Sequence, residues 1–511
     1  MAQGIVYLVG AGPGDPGLLT LRGAQCLGRA DVVVYDYLAS VELLALAPPG
    51  AERIFGGKHG TGAHFLEQEQ INELLVERAR RGLCVVRLKG GDPMVFGRGA
   101  EEAEVLARAG IAWEVVPGVT SALAVPEMAG IPVTHRDWVS GVTVLTGHEA
   151  AGKENPRVRW ELVASAGNTI VLLMGLTQMQ ANLAALMAHG LDPATPAAAI
   201  RWGTTPRQET VLGTVADLAE KVATGGLRPP VTLVIGEVVR LRESIEWFEK
   251  RPLFGRRIVV TRPRHQAPRL AELLREQGAE VLVCPAIEIE AMDTAPLRAA
   301  LEQLSSYDFL VLTSANGVDR FFAVLDECGL DMRALAGLRI AAIGPQTARR
   351  LASRHVNADI IPTEYRAEGL LAALAGESLK GSRVLLPRAA GARPILPDTL
   401  RNQGALVDEV LTYRSIQPAD APARWQEILA DGIPDCVTFT SSSTVEHFLA
   451  VVDAAPAGRA ALEAAKIACI GPITAATATA AGLQVAIEPD SYTVAALAQA
   501  ITQALRNKES R

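Results

Sequence analysis

The chain has 511 residues, 49% of them apolar and 21% charged, and at roughly 100 to 200 residues per domain that length requires several domains. Its 49 Lys and Arg nearly balance 56 Asp and Glu, for a formal net charge of -7, so the pull of a basic domain on phosphates is missing and no nucleic-acid partner is expected. The six Cys form no CxxC pair and the eight His show no metal-ligand spacing, which excludes a disulfide framework and leaves no metal expected.

The opening MAQGIVYLVG has neither a basic n-region nor a cleavage site, and the one long uncharged run, Ile467 to Ile487, is broken by Pro472, Gln484 and several Thr and Gly. No membrane span is expected, and a reducing cytoplasm is the expected location. Only eight of the 49 basic residues are Lys. Arg pairs bidentately with carboxylates and would suit a polycarboxylate ligand, although a genome favouring Arg and Ala codons is the simpler account.

In chain order, short β-branched runs alternate with helical-period Ala, Leu, Glu and Arg stretches, the pattern of parallel α/β domains. Strands are predicted at Ile5–Val9, Asp31–Tyr35, Cys84–Leu88, Ala112–Val116, Thr143–Thr146, Thr169–Met174, Ala197–Arg201 and Val231–Ile235. The segment RESIEWFEKRPLFGRR then changes character. It predicts a boundary near residue 250, with domains at 1–248 and 255–511 and a linker at 249–254.

After the boundary a strand is predicted at Ile258–Thr261, and a repeat follows. FLVLTSANGVDRFFAVL from Phe309 aligns with CVTFTSSSTVEHFLAVV from Cys436, and IAAIGPQTA from Ile340 with IACIGPITA from Ile467, both at an offset of 127 (436 − 309; 467 − 340). Gly344 thus pairs with Gly471, Thr347 with Thr474 and Tyr365 with Tyr492. A unit this long is a duplicated domain rather than a solenoid turn, so two similar α/β lobes with a ligand cleft between them are predicted.

Three Gly-rich loops follow predicted strands in the first half: VGAGPGD (Val9–Asp15), RLKGGDPMVFGRG (Arg87–Gly99) and VVPGVTSA (Val115–Ala122). In a parallel sheet such loops open on one edge, which predicts a crevice lined by Pro13, Asp36, Gly90, Gly91, Asp92, Thr120, Ser121 and Met174. A dinucleotide site is the alternative, since Asp36 lies about 20 residues beyond the first loop where a ribose-binding acid belongs. Against it, Asp15 stands where that fingerprint needs Gly or Ala, and Pro13 removes a backbone N–H that would face a pyrophosphate.

Together GAGPGDPGLLT, VVVYDYL, GKHGTGAHFLEQEQIN, VVRLKGGDPMVFGRG, VVPGVTSALAVPEMAGIPVTHR and TGH closely resemble the uroporphyrinogen-III C-methyltransferases over residues 3–245. That resemblance implies a non-Rossmann tetrapyrrole-methylase fold of two α/β subdomains that uses S-adenosyl-L-methionine and releases S-adenosylhomocysteine. It implies a cofactor pocket of Pro13, Gly90, Gly91, Asp92, Val95, Thr120, Ser121, Met174 and Gly203, with Asp36 and Lys58 as an acid/base pair, and a homodimer through this half. A base fits the chemistry, because methylating a pyrrole carbon leaves a cation that must lose a proton. Lys58 has a second possible role, orienting substrate carboxylates. His64, His135 and His148 are candidate substrate contacts. Met94, where an aromatic is common, and Glu127-Met128 depart from the pattern.

No nucleophile with a base and no phosphate loop is visible in the second half, where TSANG, TSSST, GPQTA and GPITA read as helix starts able to receive carboxylates. GRRIVVTRP, YDFLVLTSANGV, IAAIGPQTA, YRAEGLL, LLPRAAGARPIL, VLTYRS and FTSSSTVEHF resemble uroporphyrinogen-III synthase over residues 255–505. The resemblance implies cofactor-free closure of hydroxymethylbilane with inversion of the last ring. It implies lobes at about 255–290 plus 417–505 and about 291–416, with Tyr413 protonating the leaving hydroxyl. Arg262, Ser314, Thr347, Arg388, Ser441 and Thr474 would then hold the substrate carboxylates.

The combined expectation is a fusion that makes uroporphyrinogen III and methylates it twice to precorrin-2. Two alternatives are a methyltransferase whose second half is only a ligand-sensing module, and an NAD(P)-dependent oxidoreductase.

Overall fold

A computed structural model describes residues 4–57, 66–148 and 157–506. The chain divides into two compact units, one of residues 1–257, 274–280 and 502–511, the other of residues 258–273 and 281–501. Among the described residues no helix is long and apolar enough to cross a membrane.

The first unit holds two five-stranded sheets. One contains β1 (Ile5–Gly10), β2 (Val32–Tyr35), β3 (Glu52–Phe55), β4 (Cys84–Lys89) and β5 (Ala112–Val116), in the order β3-β2-β4-β1-β5. All its pairings are parallel. Its inner strands are nearly continuous apolar runs because both faces are covered, by Leu75 and Leu106 on one side and Leu27 and Leu43 on the other.

The other sheet has β6 (Val142–Thr146), β7 (Thr169–Leu173), β8 (Pro196–Arg201), β9 (Glu209–Thr214) and β10 (Val231–Ile235), in the order β6-β7-β10-β8-β9. Here the parallel expectation fails. Only β6 and β7 run parallel, while β10 is antiparallel to β7 and β8, and β8 to β9. The connection Trp202–Gln208 between β8 and β9 is too short for the crossover that parallel neighbours need.

Residues 249–254, expected as a linker, are packed. Glu249 accepts bonds from Gln208 Nε2 (2.8 Å), Thr210 Oγ1 (2.7 Å) and Arg242 Nη2 (2.8 Å), and Phe248 and Leu253 are buried.

The second half contributes β11 (Arg257–Val260), β12 (Glu280–Val283), β13 (Glu288–Ala291), β14 (Phe309–Leu312), β15 (Arg339–Ala342), β16 (Arg383–Ala389), β17 (Leu406–Ile416), β18 (Cys436–Phe439), β19 (Lys466–Cys469) and β20 (Val485–Ile487). Two sheets form, β12-β11-β18-β19-β20 and β13-β17-β16-β14-β15. The repeat is visible in their construction. Strands β14 and β15 have the bounds of β18 and β19 displaced by 127, and the parallel bridge Ala341–Ile360 recurs as Ala468–Ile487 at the same offset. The chain already enters the second sheet at Glu288, where β13 pairs antiparallel with β17.

Candidate active sites

In the first unit β1 lies between β4 and β5, so the loops after these three strands leave one sheet edge together. Gly12 and Gly91 exchange backbone hydrogen bonds, Gly12 N to Gly91 O at 3.2 Å and Gly91 N to Gly12 O at 2.7 Å. Gly118 closes against both loops: a Cβ there would lie 2.3 Å from Gly91 O and 2.7 Å from Gly10 Cα. Asp92 ties the second loop to the third, its Oδ2 accepting from Gly118 N at 3.0 Å and its Oδ1 from Met94 N at 2.8 Å.

The second subdomain completes the crevice. Asp15 N donates to Thr204 Oγ1 at 3.2 Å, and a Cβ on Gly203 would strike Val125 at 2.4 Å. Leu173, which precedes Met174, shares a small core with Ala122, which follows Ser121. Gly91 and Asp92 thus meet the third loop, a Cβ on Gly91 lying 3.8 Å from Ser121 N and 4.0 Å from Thr120 Cα, and Gly203 stands beside Thr204 on the second subdomain. Pro13, Gly90 and Met174 are next to these contacts in the chain. Val95 sits between Met94 and Phe96 on an exposed apolar turn. Asp15 has a local task as well, capping the turn Pro16–Leu18 by accepting from Gly17 N at 2.8 Å.

Asp36 follows β2, and the sheet order keeps it from the ribose position of a dinucleotide site, because β4 intervenes between β2 and β1. It pairs instead with Arg87 Nη2 at 2.5 Å. Behind this pair Glu102 Oε1 accepts from Arg87 Nε at 3.1 Å, Lys89 Nζ at 2.8 Å and Gln68 Nε2 at 3.1 Å. Asp36 is 28% exposed, whereas Arg87, Lys89 and Glu102 are at most 3% exposed. Desolvation and then the neighbouring Arg87 push the Lys89 ammonium below the usual lysine range. For Glu102 desolvation acts upward, but Arg87 and Lys89 outweigh it and hold the carboxyl below its ordinary value.

In the second half the hydrogen bond between His265 and Asn316 (3.2 Å) joins a residue after β11 to one after β14, so the segments that follow one strand of each sheet meet. Tyr413, on β17, is buried with its hydroxyl 2.8 Å from Ser314 Oγ. Ser314 also caps the helix Ala315–Glu327, accepting from Gly317 N at 2.9 Å. Burial pushes the Tyr413 phenol up, opposed by the Ser314 bond and the charge of Arg388. Ser441 holds the equivalent cap on the helix Ser442–Asp453 and accepts from Thr444 N at 3.2 Å.

Arg262 and Arg388 occupy equivalent positions of the repeat at an offset of 126 (388 − 262), but differ in company. Arg388 Nη1 lies 3.2 Å from Glu409 Oε1, and its Nη2 donates to the Arg393 carbonyl at 2.8 Å. The first copy has Val283 where the second has Glu409 (409 − 283 = 126). Arg262 is buried with Gln266 Oε1 at 3.2 Å and no carboxylate partner among the described residues, and burial lowers its pKa. Its Nε has no hydrogen-bond partner. Thr347 and Thr474 are buried within their helices. At each of those helix starts a glycine packs beneath an exposed tyrosine: a Cβ on Gly344 would lie 3.2 Å from Tyr365, and one on Gly471 2.8 Å from the ring of Tyr492.

The family described as tetrapyrrole (corrin/porphyrin) methylases matches residues 5–219, and that described as uroporphyrinogen-III synthase matches residues 268–499. The porphyrin biosynthesis protein HemD of Ruminiclostridium josui is 40% identical over 479 residues, which are 94% of each chain. The chain belongs to this family of fused methylase and synthase. An S-adenosyl-L-methionine-dependent uroporphyrinogen III methyltransferase of Methanosarcina barkeri is 50% identical over 242 residues, 47% of this chain and 94% of that one. A Thermus thermophilus uroporphyrin-III C-methyl transferase, solved with S-adenyl homocysteine, is 41% identical over 46% of this chain and 99% of that chain, with a TM-score of 0.40.

Within the methylase half, Lys58 and His64 lie outside the described residues. His135 secures its own turn, accepting from Asp137 N through Nδ1 at 3.2 Å, and His148 is exposed. Sequence reading missed Arg87, Lys89 and Glu102; a signal was available for the first two, charged residues in a strand otherwise patterned for burial, but not for Glu102, one of three glutamates on the helix Gly99–Arg108. It also missed the backbone strain at Phe96, Arg98, Met174, Trp202 and Thr204, all non-glycine residues with positive φ in or beside the crevice loops. Among the described residues no group of His, Cys, Asp or Glu is arranged to hold a metal ion.

Proposed function

We propose that this fused methylase and synthase converts hydroxymethylbilane to uroporphyrinogen III in its second half and methylates that product twice in its first, giving precorrin-2. The observation that carries the reading is the pairing, in one chain, of glycine-rich loops beside Asp36 with a second half that holds the buried Arg262 and the hydrogen-bonded Tyr413–Ser314 pair.

In the cleft, Arg262 supplies a buried cation lacking a carboxylate, which a substrate acetate or propionate would complete. Ser314 and Ser441, at helix starts, supply further donors. Arg388 contributes less to binding because Glu409 already neutralises it. Ring closure follows loss of the substrate hydroxyl, and positioning of the flexible chain does most of the work. Tyr413 delivers the proton to that leaving hydroxyl, and Ser314 then donates to the phenolate oxygen left behind.

The crevice residues fit S-adenosylmethionine. Gly10 and Gly118 let the loops close backbone to backbone, since a Cβ on either would clash there, while at Gly91, which has a positive φ, a Cβ would meet nothing nearer than 3.8 Å. Val95 and Met174 offer exposed apolar surface to a thioether and its chain. When bound, the cofactor supplies an electrophilic sulfonium methyl. Pro13, Gly90, Gly91, Asp92, Thr120, Ser121 and Gly203 would hold it. Asp36 accepts a proton from an N–H or bridging methylene conjugated with the cation, the methylated carbon itself being quaternary, and the electrons of that bond neutralise the cation. Lys58 belongs to the proposal as the acid or carboxylate-orienting partner. Dimerisation through this half and a cytoplasmic location belong to it as well, the first checked by sedimentation equilibrium.

One anaerobic incubation of the whole protein with hydroxymethylbilane and S-adenosylmethionine, followed by mass and isomer analysis, tests the reading. A dimethylated type III tetrapyrrole is expected. Unmethylated type III product would overturn the methylase assignment, and type I product would overturn that of the synthase half.

A further inference from the structure

Lys89 and Glu102 have no part in the roles given above, yet both are fully withdrawn from water beneath Asp36. Burying either charge alone carries a large desolvation penalty, and it is offset only by tight pairing. From β4, Asp36 faces Arg87 Nη2 at 2.5 Å and Lys89 Nζ at 3.9 Å. From the helix Gly99–Arg108, Glu102 takes both cations from behind. From the helix Gln68–Arg80 comes only the neutral Gln68, which donates to the same Glu102 oxygen. Farther out, Glu101 feels Lys89, while Arg98 feels Glu69 and Glu102.

Among the described residues the inner group is two cations and two carboxylates, and Asp36 is the one member that reaches solvent. Protonating Asp36 removes one negative charge and leaves Arg87 and Lys89 opposite Glu102 alone. Each buried charge therefore biases that protonation in a definite direction.

We infer that Lys89 and Glu102 are positioning residues that set the proton affinity of Asp36 by opposite contributions, Glu102 strengthening it as a base and Lys89 weakening it, with Arg87 as the rigid link between them. The inference rests on the proposed role of Asp36 as proton acceptor. Glu102 fixes the Arg87 guanidinium through Nε, so that Nη2 meets Asp36 edge-on. Lys89 keeps the cluster neutral while Asp36 is ionised. In a cluster tied this closely the two influences act on one carboxylate and leave the glycine cradle untouched.

The test is the pH profile of kcat/KM for methyl transfer, measured on the full chain with uroporphyrinogen III and S-adenosylmethionine. Glu102→Gln is expected to move the acid limb to lower pH and Lys89→Met to move it to higher pH. Each shift is expected to be about one unit, or about tenfold in rate at a fixed pH on that limb. Affinity for S-adenosylmethionine, read by calorimetry, is expected to stay within about twofold in both. A purely structural role would lower both rates without moving the limbs apart. Limbs that stay fixed or move the same way, while Asp36→Asn is inactive, overturn the inference alone. An Asp36→Asn variant that keeps its rate overturns the proposed base and the inference together. Should Glu102→Gln fail to fold, Lys89→Met decides by itself, since an unmoved acid limb there is fatal.

Discussion

In the methylase half Arg87, Lys89 and Glu102 form a charge-paired knot with Asp36, whereas in the synthase half Arg262 is buried with no carboxylate beside it among the described residues. On the proposed function the contrast follows from the chemistry. A base that takes a proton at each of two methylations must be ionised before substrate arrives, so its counter-charges belong to the protein. A cation meant for a substrate carboxylate must be left incomplete, and the partner then arrives with the ligand. The duplicated lobes make the same comparison internally: an ion pair with Glu409 neutralises Arg388, although its Nη1 makes no hydrogen bond, whereas Arg262, with Val283 at the position equivalent to Glu409, has no carboxylate partner among the described residues.

The largest effect should come from breaking the preset side. Asp36→Asn is expected to cut methyl transfer by about 10² to 10⁴-fold while leaving isomer formation by the synthase half unchanged, both read by product analysis. Next, Gly118→Ala would drive a Cβ to 2.3 Å from the Gly91 carbonyl, and calorimetry should find S-adenosylmethionine binding weakened at least about tenfold as the loops part, a cost of about 1–3 kcal/mol. On the incomplete side, Tyr413→Phe is expected to slow cyclisation by about tenfold without abolishing it. Burial keeps that phenol above its ordinary pKa and hence protonated at neutral pH, so the loss should be the same from pH 6 to 9.

Arg262→Met sharpens the contrast by opposing function to stability. It should raise KM for hydroxymethylbilane by about tenfold and yet hold stability or raise it by about 1–3 kcal/mol in urea, since a buried unpaired cation is removed. The smallest effect separates the two lobes. Gly471→Ala, with a Cβ 2.8 Å from Tyr492, should cost more than Gly344→Ala, with 3.2 Å to Tyr365, by about 1 kcal/mol in chemical denaturation.

The buried strands were legible because a parallel strand covered on both faces is an unbroken apolar run, as in Ile5–Val9 and Val32–Tyr35. The edge strands β3 and β9 were not, because ERIF and ETVLGT carry the charge and polarity that protect an open edge. Parallel order was overextended to the sheet containing β10, since strand direction depends on connection length and partner, which periodicity does not encode. Packing at Glu249 was hidden for a similar reason: a charged segment reads as solvated until Gln208, Thr210 and Arg242 are found around it.

By itself the sequence determined the two halves, the duplication in the second and the loops that line the first crevice, because these are written in local order and in repeats of the chain. Only the tertiary structure decided that Asp36 meets Arg87, that Lys89 and Glu102 stand behind them, that Arg388 is neutralised and Arg262 is not. Those pairings join residues from neighbouring strands and covering helices. Whether a charge costs or contributes depends on the water removed and the partner gained there, and neither quantity exists until the chain has folded.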